Sequence, residues 1–96
     1  MVSVKINLPI VLTIGGHDPT GGAGIIKDIE AIKSNNCHAV SLVSCLTCQN
    51  TYQFKNITPV DSFLFSEQAE VLLSGVEINT IKIGAISSLN LVEIVE

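Results

Sequence analysis

The stretch TIGGHDPTGGAG, residues 13–24, decides how this chain folds. It holds five of the chain's seven glycines, follows an apolar run at residues 9–14 and precedes an amphipathic segment. The apolar run predicts a strand that is buried on both faces. The amphipathic segment predicts a helix that ends near residues 34–36, because apolar side chains recur at helical spacing: Ile25, Ile29 and Ile32. A strand, a glycine loop and a helix in this order are typical of a parallel α/β sheet.

The middle of the chain repeats this alternation. Residues 38–47 predict a second strand, and Asp61 predicts the N-cap of a second helix. Residues 52–59 have no clean period and predict a loop with a short extended piece. One apolar stripe marks the second helix: Phe65, Ala69, Leu72, Leu73 and Val76.

The last part of the chain predicts one more strand and one more helix. Residues 81–86 form the strand, and Ser88 or Asn90 caps the helix. No stop signal precedes Glu96, so we expect a β-α-β-α-β-α unit that is cut short inside its third helix.

Composition and charge exclude several classes of function. Hydrophobic residues make up 47% of the chain and charged residues 15%, so we expect a folded core rather than disorder. The net charge of −4 argues against binding to nucleic acid or to an acidic membrane surface. No apolar run reaches the roughly 18 residues that a membrane span needs. The N-terminal residues show no signal peptide, so we expect a cytoplasmic protein.

The cysteines do not predict a metal or redox site. Cys45 and Cys48 form a Cys-x-x-Cys pair, but on a strand an offset of three puts them on opposite faces. No second pair completes a tetrahedral site, and the only histidines are His17 and His38. We therefore expect ordinary thiols and no bound metal.

The glycine loop follows the carboxyl end of a strand, where parallel α/β sheets bind their ligands. Its glycines serve either a tight connection or the approach of a ligand to the main chain, and five favour the second use. The loop matches neither common phosphate motif. Gly22 and Ala23 stand where a P-loop needs Lys and a hydroxyl, so the loop is not a P-loop. The dinucleotide-binding fingerprint needs an acidic residue at the end of the second strand, and this strand ends in Gln49.

Two polar residues are candidates for a ligand site. Asp28 lies on the border of the buried face of the first helix, where it either points into the strand-end crevice or is a solvated acid. Gln49 either ends its strand as a turn residue or offers its planar amide to a ring nitrogen flanked by an exocyclic amine. The residues alone leave both alternatives open.

Three blocks of sequence resemble a known family. LTIGGHDPTGGAGIIKDI is similar to the T-I-A-G-S-D-P-S-G-G-A-G-I-x-A-D signature of the hydroxymethylpyrimidine/phosphomethylpyrimidine kinases of thiamine biosynthesis. SCLTCQNT resembles that family's T-A-L-x-A-Q-N-T, and IKIGAISS resembles its V-K-I-G-M-L. The resemblance runs from about Leu8 onward. It implies a ribokinase-like α/β fold, with residues 1–96 as the N-terminal part of a single kinase domain.

The resemblance also implies roles for individual residues. Gly16, Asp28 and Gln49 match positions that line the pyrimidine pocket, and Ala85 stands where the family has a Met against the ring. The family's catalytic G-T-G-C segment and its nucleotide-binding elements have no counterpart in these 96 residues. We therefore expect no catalytic residue here, and we expect ATP and Mg²⁺ to bind the full-length kinase rather than this chain alone.

Two further departures and two alternatives accompany this interpretation. His17 replaces a Ser or Thr, and Cys48 replaces an Ala. Lys82 lies in an otherwise apolar strand, where it would need an anionic partner that the sequence does not identify. The expected partner is a small pyrimidine, with a homo-oligomer or a complementing C-terminal half left open. The alternatives are a non-catalytic α/β module that binds a partner through its open sheet edge, and part of a pyridoxal-type kinase.

Overall fold

A computed structural model describes residues 8–84 of the chain. Strands and helices alternate, with two strands in succession at the centre. The elements are β1 (Ile10–His17), α1 (Gly24–Ser34), β2 (His38–Gln49), β3 (Phe54–Pro59), α2 (Ser62–Gly75) and β4 (Thr80–Ile83). The predicted third helix and the last part of the predicted third strand lie outside the described residues.

The four strands form one sheet in the order β3-β2-β1-β4. Strand β1 pairs in parallel with both β2 and β4, and β3 pairs antiparallel with β2. In the parallel ladders Thr13 of β1 lies opposite Ser41 on one side and Lys82 on the other. The predicted α/β architecture of parallel strands joined by helices is confirmed.

Strand β3 is the short extended piece that was predicted within residues 52–59, and it extends over six of them. All six of its residues are exposed, so the strand buries neither face and leaves no alternation in the sequence. A turn at Asn50 sets up the pairing, because the Asn50 side chain accepts hydrogen bonds of 2.8 Å from the backbone N–H groups of Tyr52 and Gln53. Strand β3 therefore pairs with the last five residues of β2, from Cys45 to Gln49.

Strand β1 extends further than the apolar run indicated. It continues through both glycines to His17, and its register against β2 shifts between Gly15 and Gly16. Glycine lowers strand propensity, so a pattern of apolar residues ends the strand too early. The connecting loop is thus confined to residues 18–23.

The core lies between the sheet and α2. Leu12, Ile14, Leu42 and Phe65 form its buried cluster. From the predicted stripe on α2, Phe65 is fully buried and Ala69 and Leu72 pack against the cluster, whereas Leu73 is 49% exposed and faces away.

At the start of α2 the Asp61 carboxylate accepts a 3.0 Å hydrogen bond from the backbone N–H of Leu64, so the predicted N-cap is confirmed. Neither described helix is both long and apolar enough to span a bilayer.

Candidate functional site

A cavity of about 250 Å³ opens where β1 and β2 end and α1 begins. The glycine loop, α1, both inner strands, β3 and β4 all contribute to its wall. Its lining residues are Gly15, Gly16, Asp18, Ala23, Gly24, Asp28, Cys45, Thr47, Gln49, Ile57, Lys82 and Gly84. This is the carboxyl edge of the parallel strands, the place at which α/β sheets hold their ligands.

Two glycines of the loop are required by close packing within the chain itself. A Cβ at Gly16 would lie 2.8 Å from the sulfur of Cys45. Gly24 has a φ of +67°, and a Cβ there would collide with the carbonyl oxygen of Gly16. The glycines therefore bring the start of α1 directly onto the end of β1. Packing within the chain is therefore a second reason for glycine at these two positions, beside the expected approach of a ligand.

Asp18 holds the glycine loop together. Its carboxylate, on a residue only 7% exposed, accepts hydrogen bonds from the backbone N–H of Thr20 at 2.9 Å and from the Thr20 hydroxyl at 2.8 Å. The Thr20 N–H lowers the pKa of Asp18, assisted by the Thr20 hydroxyl, the Gln49 amide and the Ala23 N–H, and opposed by burial. Asp18 was not among the site residues predicted from the sequence. The hydroxyl residue two positions later is the signal of a side-chain-bonded turn.

This role of Asp18 also decides what the loop can hold. Asp18 lines the cavity together with Ala23, the N-cap residue of α1. An anion at that position would meet a carboxylate. The Asp18 carboxylate therefore disfavours a phosphate beside it, in agreement with the absence of a P-loop motif.

Asp28 is a cavity residue with two partners. Its carboxylate accepts a 2.9 Å hydrogen bond from the Thr13 hydroxyl, and the Lys82 ammonium lies 2.8 Å from both carboxylate oxygens. Of the two alternatives for Asp28, the solvated acid is wrong, because the side chain is only 18% exposed and is paired with Thr13 and Lys82. Lys82 thereby gains the anionic partner that the sequence did not reveal.

Gln49 is the last residue of β2 and is half-buried in the cavity wall. Its amide contributes to lowering the pKa of Asp18, and both residues line the cavity. The structure thus brings Gly16, Asp28 and Gln49 to one cavity. Ala85 lies outside the described residues, next to Gly84 of the cavity wall.

Several lining residues were not identified from the sequence. Thr47 lies on β2 two residues before Gln49, and its hydroxyl donates a 3.0 Å hydrogen bond to the His17 carbonyl oxygen. The alternation along β2 could have identified Thr47, since residues two apart share a face. Ile57 belongs to the extended piece predicted within residues 52–59, and no pattern in that segment placed it at the cavity. His17 itself is not among the lining residues.

The three cysteines are free, with Cys45 buried and Cys48 exposed. This matches the predicted placement of the Cys-x-x-Cys pair on opposite faces of a strand. Among residues 8–84, no group of three or more His, Cys, Asp or Glu side chains is arranged to hold a metal ion.

Comparison with known proteins identifies the family. A sequence model described as phosphomethylpyrimidine kinase matches residues 18–96. The chain belongs to the phosphomethylpyrimidine kinase family. The match covers the glycine loop, α1 and every cavity residue from Asp18 onward.

Individual members of the phosphomethylpyrimidine kinase family are similar over most of this chain. A thiamine biosynthesis multifunctional protein of Corynebacterium glutamicum is 41% identical over 91% of the chain and 11% of its own length. The hydroxymethylpyrimidine/phosphomethylpyrimidine kinase of Escherichia coli is 33% identical over 88% of the chain and 32% of its own length. The chain thus spans a third or less of these relatives.

A solved structure supports the same fold. The crystal structure of phosphomethylpyrimidine kinase from Clostridium difficile superposes with a TM-score of 0.85 at 26% identity, over 91% of this chain and 38% of that protein. The predicted ribokinase-like α/β fold is confirmed.

Proposed function

We propose that the complete protein uses ATP to phosphorylate hydroxymethylpyrimidine and then its monophosphate in thiamine biosynthesis. Residues 1–96 are the N-terminal part of its single kinase domain and supply part of the pyrimidine pocket. The observation that carries this proposal is the convergence of Gly16, Asp28 and Gln49 on one cavity. These are the positions that the family signature marks as substrate-binding.

The chemistry of the cavity suits an aminopyrimidine. Gln49 has a carbonyl oxygen and two N–H groups in one plane. If the N–H remote from the carbonyl faces Asp18, the other N–H and the oxygen remain for a ring nitrogen and its exocyclic amine. The cavity of about 250 Å³ has room for a single substituted ring.

The phosphoryl-transfer machinery is assigned elsewhere in the protein. Phosphoryl transfer depends on positioning and on stabilisation of charge on the transferring group. The described residues offer a loop occupied by Asp18 and no phosphate motif, so we assign them no catalytic residue. ATP and Mg²⁺ are proposed to bind the complete kinase, and neither is proposed to bind residues 1–96 alone.

Location and assembly are parts of the same proposal. Three free thiols are compatible with the reducing cytoplasm, where we place the protein. The pocket is completed by the C-terminal part of the same chain, by a complementing half or by a second subunit. Size-exclusion chromatography of the active protein separates the first case from the other two.

The test is a kinase assay on protein expressed from its complete coding sequence. With Mg-ATP we expect turnover of hydroxymethylpyrimidine, and we expect none from residues 1–96 alone. An in-frame Gly-Thr-Gly-Cys segment beyond Glu96 would agree with this. Preference for pyridoxal would instead support the pyridoxal-type kinase, and absence of phosphoryl transfer from the complete protein would support the non-catalytic module.

A further inference from the structure

A polar triad lies between α1 and the sheet, directly beside the cavity. Thr13 comes from β1, Asp28 from α1 and Lys82 from β4, and the two charged residues both line the cavity. Thr13 and Lys82 are neighbours in the parallel ladder, so their side chains reach Asp28 from the same face of the sheet. Three separate elements thus converge on one carboxylate.

The triad lies between a helix and a sheet, an interface at which most side chains are apolar. Thr13 is fully buried and the Asp28 side chain is 18% exposed, whereas the Lys82 side chain is 51% exposed. Removing a carboxylate from water is costly unless its acceptor sites are occupied. The Lys27–Glu30 pair on the same helix is an ordinary surface ion pair. Its Lys27 Nζ and Glu30 Oε2 atoms are 3.6 Å apart, and the two side chains are 63% and 61% exposed.

Within the part of the chain that the structure describes, residues 8–84, the hydrogen bonds occupy all but one acceptor site of Asp28. A carboxylate has about four lone-pair sites, two on each oxygen. Oδ2 accepts from the Thr13 hydroxyl and from Lys82, and Oδ1 accepts from Lys82. Three sites are taken, and the remaining one is on Oδ1.

We propose that Lys82 is a positioning residue that, with Thr13, fixes the Asp28 carboxylate so that this last Oδ1 site accepts a hydrogen bond from a hydroxyl or amine of the substrate. The inference rests on the proposed function and deepens it. Lys82 acts through Asp28, and its charge prevents the carboxylate from turning away from the cavity. The pairing also holds β4 against α1, which keeps the far wall of the cavity in place.

A double-mutant cycle separates this role from direct contact between Lys82 and the substrate. Hydroxymethylpyrimidine is titrated calorimetrically into protein expressed from its complete coding sequence. The variants are Lys82→Met, Asp28→Asn, their combination, and Lys82→Arg, which keeps the charge and can pair with both carboxylate oxygens. Lys27→Met is the matched control, because it removes the same charge from the exposed pair of the same helix.

We expect Lys82→Met and Asp28→Asn each to weaken binding by about tenfold or more, equivalent to 1.4 kcal/mol. The double variant should bind no more weakly than Asp28→Asn alone, because Lys82 has no role once the carboxylate is gone. Lys82→Arg should restore most of the affinity, and Lys27→Met should leave it unchanged. Urea unfolding of each variant shows whether lost affinity comes from lost folding.

Two results would overturn the inference while leaving the proposed function intact. One is a Lys82→Met variant that binds like the wild type. The other is additive losses in the double variant, which would mean that Lys82 contacts the substrate itself. If Lys82→Met does not fold, the double variant can still be compared with Asp28→Asn, because the double variant leaves no charge unpaired. Weaker binding by the double variant than by Asp28→Asn would again mean that Lys82 contacts the substrate itself. A wild-type protein that does not bind hydroxymethylpyrimidine would refute the proposed function and this inference together.

Discussion

Replacing Gln49 by Leu tests the recognition chemistry of the cavity. The substitution keeps a similar volume but removes the carbonyl oxygen and both N–H groups from the end of β2. We expect pyrimidine binding by the protein expressed from its complete coding sequence to weaken by at least tenfold. Binding of a non-hydrolysable ATP analogue should change little, because we place the nucleotide elsewhere in the complete protein.

The magnitude follows from the hydrogen bonds that would be lost. An aminopyrimidine edge would leave two polar groups without partners, at a cost of about 1–3 kcal/mol each. Gln49 is half-buried, so water can reach part of the site and the lower end of this range applies. Tenfold corresponds to 1.4 kcal/mol, which is below the sum of the two lost bonds. The substitution also removes the Gln49 contribution to the lowered pKa of Asp18.

Calorimetric titration with hydroxymethylpyrimidine and with the ATP analogue separates the outcomes. The matched control is Gln53→Leu, because Gln53 is an exposed residue of the β2–β3 turn that does not line the cavity. This control should bind both ligands like the wild type. Unchanged pyrimidine binding in Gln49→Leu would mean that the pocket is misplaced. Equal losses for both ligands would mean that Gln49 supports the fold rather than the substrate.

Three further substitutions test the loop and the helix start. Gly16→Ala should lower the unfolding free energy in urea by about 1–3 kcal/mol, because its Cβ would lie 2.8 Å from the Cys45 sulfur. Adding Cys45→Ala should restore much of that loss, and absence of rescue would contradict the contact. Asp18→Asn tests pH dependence. The folded-state pKa of Asp18 is lowered, so its contribution to stability is present above the unfolded pKa of about 3.9 and is lost on acidification. The variant should thus lose less stability than the wild type below about pH 4, and parallel acid-unfolding curves would refute this. Asp61→Ala should cost about 0.5–2 kcal/mol of thermal stability, since its carboxylate caps the N–H of Leu64, and an unchanged Tm would argue against the cap.

The sequence predicted those elements whose local pattern matches their burial. Helix α1 was predicted to end near residues 34–36, and it ends at Ser34 with its predicted amphipathic face. The Asp61 cap was also predicted, because capping depends on residues only three positions apart. Strand β3 was predicted only as a short extended piece within a loop, since an exposed strand without a buried face has no period to detect.

The site was predicted only in part, because its side chains are brought together by distant elements. Gly16, Asp28 and Gln49 were identified as candidates, and the structure places all three on one cavity. The pairing of Lys82 with Asp28 spans 54 residues and two elements, so no local spacing predicts it. A lysine within an apolar strand was the available signal, but it indicates only that a partner exists.

The most direct measurement is a crystal structure of the protein, expressed from its complete coding sequence, with hydroxymethylpyrimidine bound. We expect the ring in the cavity beside Gly16, with its ring nitrogen and exocyclic amine about 2.7–3.2 Å from the amide of Gln49. A donor group of the substrate should lie at similar distance from Oδ1 of Asp28. A pyrimidine bound elsewhere, or bound in this cavity with the Gln49 amide unengaged, would contradict the assignment of this edge of the sheet as the substrate pocket.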